Sequence, residues 1–308
     1  MKAVSYRTFG GADVLEYGEL PDPRLGPDSV LVRVKAAAVN PVDWKAREGY
    51  LGTLLDPVFP VVPGWDMAGV VEQAGVAVTE YAPGDEVIGY VREDMLSRGT
   101  FAELVAAPVR CLARKPAGLS WAQAAGLPLA GLAAYQSLVR AAHTAHGETV
   151  LVHAAAGGVG SLAVQIAKAL GARVIGTASE PNHAFLRELG ADPVVYGKGL
   201  DERVRALAPD GVDVIIDPVG KQALRTSKGL LKDGGRLVSV VDHTVVARGG
   251  SYVFARPDAA DFAALTELVE SGALTVPIAE VFPLEKAALA HELSQAGHAR
   301  GKIVVEIG

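Results

Sequence analysis

The stretch from Leu151 to Ala172, LVHAAAGGVGSLAVQIAKALGA, constrains this chain more than any other. Apolar residues run into a tight glycine turn, and a helical pattern follows. Thr149–His153 reads as a short buried strand. Ala155, Gly157 and Gly160 hold the three special positions of a G-x-G-x-x-G fingerprint, with alanine at the first. Beyond it, Val159, Leu162, Ala163, Ile166 and Leu170 recur at helical spacing, while Ser161, Gln165 and Lys168 are expected to face away. In that context the glycines let backbone N–H groups approach a pyrophosphate, and the helix N-terminus adds a favourable partial charge. The bland alternative is a tight βα turn in some other α/β protein. Strand, glycine turn and helix in this order favour the nucleotide.

The rest of the chain is read around that unit. With 308 residues there is room for two domains. Half the residues are hydrophobic, enough for a sizeable core, and the net charge of −6 with no basic cluster argues against nucleic acid. No run of about 18 apolar residues would span a membrane, and the N-terminus lacks an apolar leader core. The single cysteine, Cys111, excludes an intramolecular disulfide and any cysteine-cluster zinc site, so a cytoplasmic setting is expected and Cys111 itself reads as core filler.

Residues 1–118 read as a barrel-like β domain of short strands punctuated by glycine and proline. Val30–Ala38 alternates like a strand with one buried face; Val70–Gln73, Glu86–Val91 and Phe101–Val105 are further strands. Ser120 with Gln123 predicts a capping box before Trp121–Ala125, and Leu129–Ala141 reads as a helix. Strand and helix then alternate: strands at Arg173–Thr177, Pro193–Tyr196, Val212–Asp217 and Arg236–Val241, helices at Asn182–Leu189, Glu202–Ala208 and Gln222–Leu231. This pattern implies a parallel, doubly wound sheet. Tyr252–Ala255 is a candidate edge strand, Asp258–Ser271 a helix, and Ile303–Ile307 a closing strand that returns to the β domain.

The tip of the second strand after the fingerprint sets cofactor choice, since a carboxylate there binds the ribose hydroxyls of NAD. This chain has Thr177-Ala178-Ser179, which favours NADPH, with Ser179 as a donor to the added phosphate. The alternative is that Ser179 only caps the next helix. Glu180 argues the other way, and His183, Arg187 and Lys198 are unranked phosphate partners. No metal-ligand spacing is present; His291 and His298 are expected on a solvated helix face. No G-x-S-x-G elbow supports a hydrolase. VNPVDWK (39–45) and VPGWDMAG (62–69) place polar and aromatic residues beside apolar strands, with Asp43 a candidate cap for a short helix.

These motifs resemble the zinc-free quinone oxidoreductase-like family of the medium-chain dehydrogenase/reductase superfamily. The matching residues are NPVDWK (40–45), PGWDMAGVVEQAG (63–75), GDEVIGY (84–90), LPLAGLAAYQSL (127–138), AAAGGVG (154–160), GTAS (176–179) and RGKIVVEI (300–307), in the family's order. The resemblance implies an α/β protein in which a Rossmann NADPH-binding domain (residues 123–258) is inserted in a GroES-like β-barrel catalytic domain (1–122 and 259–308). It implies a metal-free enzyme, because Asn40 and Trp65-Asp66 stand where zinc-using relatives carry ligands. It assigns Ala156, Gly157, Gly158, Val159 and Gly160 to the pyrophosphate, Ser179 to the 2′-phosphate and Tyr196 to the adenosine end. Asn40, Val241, Phe254 and Lys302 fall to the nicotinamide half. Two departures stand out: Ala133 where the family often has threonine, and no lysine near Asn182–Ala184.

The function so implied is NADPH-dependent reduction of a quinone or an α,β-unsaturated carbonyl. Asn40, Tyr50 and backbone N–H groups near Val241 are candidates to stabilise the developing oxyanion, and Tyr50 is also a candidate proton donor or lid side chain. An enoyl-thioester reductase and a non-catalytic NADPH-binding regulator are the alternatives. A homodimer joined through the edge near Tyr252–Ala255 is the family expectation.

Overall fold

The computed structural model describes all 308 residues. They cluster into two compact units, the first comprising Met1–Leu129, Pro257–Thr266 and Ile278–Gly308, the second Ala130–Arg256 and Glu267–Pro277. In chain order come β1 (Lys2–Ser5), β2 (Glu16–Glu19), β3 (Ser29–Val39), α1 (Pro41–Arg47), β4 (Asp56–Pro57), β5 (Asp66–Ala74), β6 (Glu86–Tyr90) and β7 (Met95–Leu96). β8 (Leu104–Pro108), β9 (Leu112–Arg114), α2 (Trp121–Gly126), α3 (Pro128–Tyr135), β10 (Thr149–Val152), α4 (Gly158–Ala169), β11 (Arg173–Ala178) and α5 (His183–Glu188) follow. Next are β12 (Asp192–Val195), α6 (Leu200–Leu207), β13 (Val212–Asp217), α7 (Lys221–Ser227), β14 (Leu231–Ser239) and β15 (Ser251–Tyr252). α8 (Ala259–Glu270), β16 (Ile278–Pro283), α9 (Ala287–Ala296) and β17 (Lys302–Glu306) complete the chain. No helix is long and apolar enough to cross a membrane.

The second unit is built on a six-stranded sheet in the order β12-β11-β10-β13-β14-β15, with every pairing parallel. Parallel strands need helical crossovers, which cover both faces. That is why VLV (150–152) and VII (214–216) read as uninterrupted apolar runs. Leu151, Ile175, Ile215 and Leu237 meet in its core with Val204 of α6 and Leu224 of α7. The strand order reverses between β10 and β13, the switch point where ligands bind in open α/β sheets. On α4, Leu162, Ala163 and Ile166 are buried as their spacing predicts. Ser161 and Gln165, expected to face away, are buried too. Gln165 donates to the Ser161 and Thr275 carbonyls (both 3.0 Å) and accepts from the Thr275 amide (2.8 Å) and hydroxyl (3.0 Å). A segment 110 residues away thus satisfies its amide, which no local pattern reveals.

In the first unit a seven-stranded sheet runs β16-β17-β3-β5-β6-β9, with β8 also on β3. β3 alternates as read from Val32 to Ala36, with Arg33 exposed and Lys35 half-buried, whereas Ala36–Val39 is buried throughout; α2 packs on β3 and β5. The capping box that starts α2 is formed: the Gln123 amide donates to Ser120 Oγ (3.3 Å) and the Ser120 amide to Gln123 Oε1 (3.1 Å). Cys111 is buried.

Several boundaries differ from expectation for local reasons. The strand read at Phe101–Val105 begins at Leu104, because Phe101 pairs instead with Pro63 and Val4 in loop hydrogen bonds. The helix read at Leu129–Ala141 passes into a π-helical turn over Gln136–Ala141. α7 stops at Ser227, whose hydroxyl donates back to the Ala223 carbonyl (2.6 Å), a bond that competes with helix continuation. β14 ends at Ser239, short of Val241, and the edge strand β15 covers only Ser251–Tyr252. β16 had no apolar signature, since most of it is exposed at the sheet edge. His291 is not on a solvated face: α9 packs on α1 and buries it completely, edge-on to Phe101 at 5.5 Å.

Candidate active site

The fingerprint turn in the second unit is shaped by close approach. Ala154 adopts φ 43°, unusual for a residue with a side chain. Its amide donates to Thr177 Oγ1 (3.0 Å) and that of Ala155 to the Thr177 carbonyl (2.9 Å), so β11 holds the turn. Gly160 is wedged in place: a Cβ there would lie 2.2 Å from the Ala154 carbonyl oxygen and 2.7 Å from Ala155 Cα. Gly157 is the N-cap of α4 and offers no side chain to its first turn. The first intrahelical bond runs from the Ser161 amide to the Gly157 carbonyl (2.9 Å). The N–H groups of Gly158, Val159 and Gly160 precede it and are left to an external acceptor. A turn packed this closely at Gly160, with three donors at the start of a 12-residue helix, fits a pyrophosphate.

Ala155, at the position of the fingerprint's first glycine, is accommodated by its neighbour. A Cβ at Gly176 would approach Ala155 Cβ to 2.9 Å. Ala156 is buried behind the turn. Ser179 opens a 3-10 turn at the β11 tip, and its Oγ accepts from Asn182 Nδ2 (3.2 Å). Tyr196, Val241 and Phe254 are each at least one-third exposed, and the Val241 amide donates to Ser239 Oγ (3.4 Å).

A buried group at the ends of β13 and β14 was missed by sequence reading. Asp217 Oδ1 accepts from the Val219 and Gly220 amides (both 2.9 Å), and its Oδ2 accepts from Ser239 Oγ (2.9 Å). Ser239 Oγ also accepts from the Asp242 amide (3.2 Å). One carboxylate therefore shapes the loops after both β13 and β14. Its signal was an aspartate directly after the apolar run Val214–Ile216.

The first unit contributes a second polar centre. Register delivers it: Ile303 pairs with Val39 and Ala38 with Asp66, so β17, β3 and β5 end together at Lys302, Asn40 and Asp66. All three are buried, as is Asp43 in the first turn of α1. Lys302 Nζ donates to Asn40 Oδ1 (2.6 Å) and lies 3.7 Å from Asp66 Oδ2. Asn40 Nδ2 donates to Asp66 Oδ2 (2.9 Å), and the Leu129 amide to Asp66 Oδ1 (2.8 Å). An ammonium only donates and a carboxylate accepts, so the asparagine amide has one orientation. The Asn40 amide N–H donates to Asp43 Oδ2 (2.7 Å).

Burial dominates the protonation of this group. It pushes Asp43 up to about 7, opposed by the Asn40 hydrogen bond, and Asp66 up to about 6, opposed mainly by Lys302. It pushes Lys302 down, opposed by Asp66 and Asp43. The Asn40 carbonyl oxygen is already capped by a cation, so this donor set suits a fixed ammonium rather than a metal ion. Asp43 and Trp65 also line a narrow, partly open cleft, shared with Tyr6, whose buried hydroxyl has no protein partner.

Asn40 and Lys302 are thus brought together. Tyr50 stands apart from them, 68% exposed, with its ring T-shaped on Trp44 at 6.4 Å.

The chain is similar to known proteins along nearly its whole length. The family described as alcohol dehydrogenase GroES-like domain matches residues 26–117, and that described as zinc-binding dehydrogenase matches residues 189–305. The chain is 38% identical to an NADPH-dependent alkenal/one oxidoreductase of Arabidopsis thaliana, over 99% of this chain and 79% of that protein. It superposes on the quinone oxidoreductase of Coxiella burnetii with a TM-score of 0.90 at 35% identity, over 100% of this chain and 99% of that one. A structure titled NAD-dependent alcohol dehydrogenase matches with a TM-score of 0.91 at 34% identity, over the whole of both chains. The chain belongs to the zinc-free quinone oxidoreductase-like family of the medium-chain dehydrogenase/reductase superfamily.

Proposed function

We propose that this chain is an NADPH-dependent, metal-free oxidoreductase that reduces the conjugated C=C–C=O of an enone, an enal or a quinone. The observation that carries the reading is the α4 turn, where Gly160 has no room for a methyl group and three amides lead the helix. When bound, the nicotinamide supplies the hydride chemistry. Gly157–Gly160 hold the pyrophosphate, with Ala156 as the floor of the turn, and Tyr196 serves the adenosine end. Val241 and Phe254 are nicotinamide contacts of the second unit; Asn40 and Lys302 are those of the first. Lys302 is held by the Val39 carbonyl, Asn40 Oδ1 and Asp66. The Asn40 side chain is engaged by Lys302 and Asp66, so its part is to orient Lys302 rather than to donate directly. Tyr50 is assigned a substrate contact.

The choice of NADPH rests on Ser179 at the β11 tip, where a carboxylate would repel the 2′-phosphate. The Arabidopsis relative carries NADPH in its name, whereas one structural neighbour carries NAD, so the two cofactors must be compared directly. Purified protein is mixed with NADPH or NADH and a panel of quinones, alkenals and enoyl thioesters, and absorbance of the reduced nicotinamide is followed. Faster oxidation of NADPH with a quinone or alkenal is the expected result. Tight NADPH binding with no oxidation across the panel would leave a binding protein; preference for NADH would refute the cofactor choice. Two further elements belong to the proposal: a homodimer closing the exposed edge at Ser251–Tyr252, tested by light scattering, and a cytoplasmic location, tested by fractionation.

A further inference from the structure

Helix α1 ends in a second buried polar group that the site above does not use. Arg47 is completely buried. Its Nε donates to the Gly10 carbonyl (3.1 Å), Nη1 to His291 Nδ1 (3.2 Å), and Nη2 to Glu48 Oε1 (3.0 Å) and Gln295 Oε1 (3.3 Å). The Gly10 amide returns a bond to the Arg47 carbonyl (3.1 Å), and Gln295 Nε2 donates to the same Glu48 Oε1 (2.8 Å). One guanidinium therefore joins the N-terminal loop, α1 and α9.

Histidine is the telling member. Arginine has only donors, so His291 must present Nδ1 as a bare acceptor and carry its proton on Nε2. That Nε2 is buried with no hydrogen-bond partner. Burial, with Arg47 beside it, pushes the imidazole down to about 3, so it stays neutral. An orphaned buried donor is unfavourable. Its retention makes sense if the Nδ1 contact to Arg47 is what matters.

What Arg47 holds follows from the backbone. Just beyond it, the amides of Glu48, Gly49 and Tyr50 fold back on the carbonyls of Trp44 (3.0 Å), Ala46 (3.0 Å) and Lys45 (2.9 Å). Gly49 takes φ 85°, and a Cβ on it would touch the Phe9 ring at 3.3 Å. Tyr50 then meets Trp44 edge-on. A seven-residue helix is not stable in isolation. Asn40, Asp43 and Asp66 fix its N-terminal end, and Arg47 fixes the other.

We propose that Arg47 is a positioning residue for substrate: through Gly10, Glu48, His291 and Gln295 it holds the Trp44–Tyr50 segment in the place where Tyr50 meets substrate. The inference rests on the functional reading of Tyr50 given above. The test uses the full-length protein. Arg47→Lys keeps the charge and loses the fork. Backbone amide exchange at Glu48–Tyr50 is expected to quicken, and KM for the enone or quinone to rise about tenfold, the worth of one charge-assisted hydrogen bond. The kcat and the NADPH dissociation constant stay near wild type. His291→Leu behaves like Arg47→Lys, whereas His291→Asn, which restores an acceptor near the position of Nδ1, recovers KM. In a Tyr50→Ala background, Arg47→Lys adds no further rise in KM; a merely structural arginine would add its full effect. Additive KM effects, or unchanged exchange at Glu48–Tyr50, would overturn the proposal. If Arg47→Lys does not fold, Gln295→Ala at the exposed rim reads the same exchange, and unchanged exchange there is equally fatal. If no quinone, alkenal or enoyl thioester supports NADPH oxidation by the wild-type protein, the functional reading and the substrate role of Arg47 fall, while the exchange data still decide whether Arg47 tethers the segment.

Discussion

Gly160→Ala is the sharpest probe of the nucleotide turn. The added methyl would lie 2.2 Å from the Ala154 carbonyl oxygen and 2.9 Å from its carbon. Both are backbone atoms, so no side chain can rotate away and the turn itself must open. Alanine gains up to about 1 kcal/mol over glycine in a helix interior, and less in a first turn. Overpacking against backbone costs about 1–3 kcal/mol. The net expectation is destabilisation of about 1–2 kcal/mol. Cofactor binding should suffer more. Opening the turn displaces the leading amides of α4, and losing one hydrogen bond to a charged phosphate is worth about 1.5–3 kcal/mol, or about ten- to a hundredfold in affinity. Gly157→Ala is the control, since its Cβ would meet only the Ala154 oxygen, at 3.3 Å. Urea denaturation measures the first quantity and NADPH fluorescence titration the second. A Gly160→Ala protein that binds NADPH as wild type does would refute the reasoning, as would a Gly157→Ala protein that binds more weakly than Gly160→Ala.

Other outcomes follow from the buried polar centre and the β11 tip. Asp43 and Asp66 titrate near 7 and 6 in the fold, above about 3.9 in the unfolded chain. Their contribution is therefore fully present below about 4 and is lost as pH rises towards 7. Asp43→Asn should accordingly flatten the fall in unfolding free energy between pH 4.5 and 7.5, and an unchanged slope would contradict the assignment. Lys302→Met leaves Asp66 buried beside no cation, which should cost about 3–5 kcal/mol in urea denaturation; adding Asp66→Asn should recover part of it. Ser179→Asp should weaken NADPH binding by at least about tenfold relative to NADH, as read by titration with each cofactor.

Much of the fold was legible because its signals are local. The alternation from Val150 to Ser239 shows in the period of the apolar residues, and Ser120 with Gln123 announces α2 three residues apart. The glycine turn could be read because each residue in it answers a backbone constraint. The site in the first unit was only half legible. Asn40 and Lys302 were named by resemblance, yet their bond spans 262 residues and depends on the pairing of β17 with β3. Arg47 and His291 lie 244 residues apart. Each alone looks like a surface residue of an amphipathic helix, and only the packing of α9 on α1 turns them into a buried pair. Gln165 misled for the same reason, its partner Thr275 lying beyond any helical window.

The contact between Ala155 and Gly176 bears on how such fingerprints should be searched. If the first glycine of the motif is a demand on the summed volume of a turn residue and a residue of the following strand, then a methyl group can be carried by either but not by both. Ala155 with Gly176 is one solution, and glycine at 155 with alanine at 176 is its mirror, provided Leu186, 3.0 Å from the Gly176 Cβ position, gives way. A search that scores the turn alone will discard chains of the first kind. One that scores the turn together with the middle of the following strand keeps them, and it reads a substitution at either place as half of an exchange.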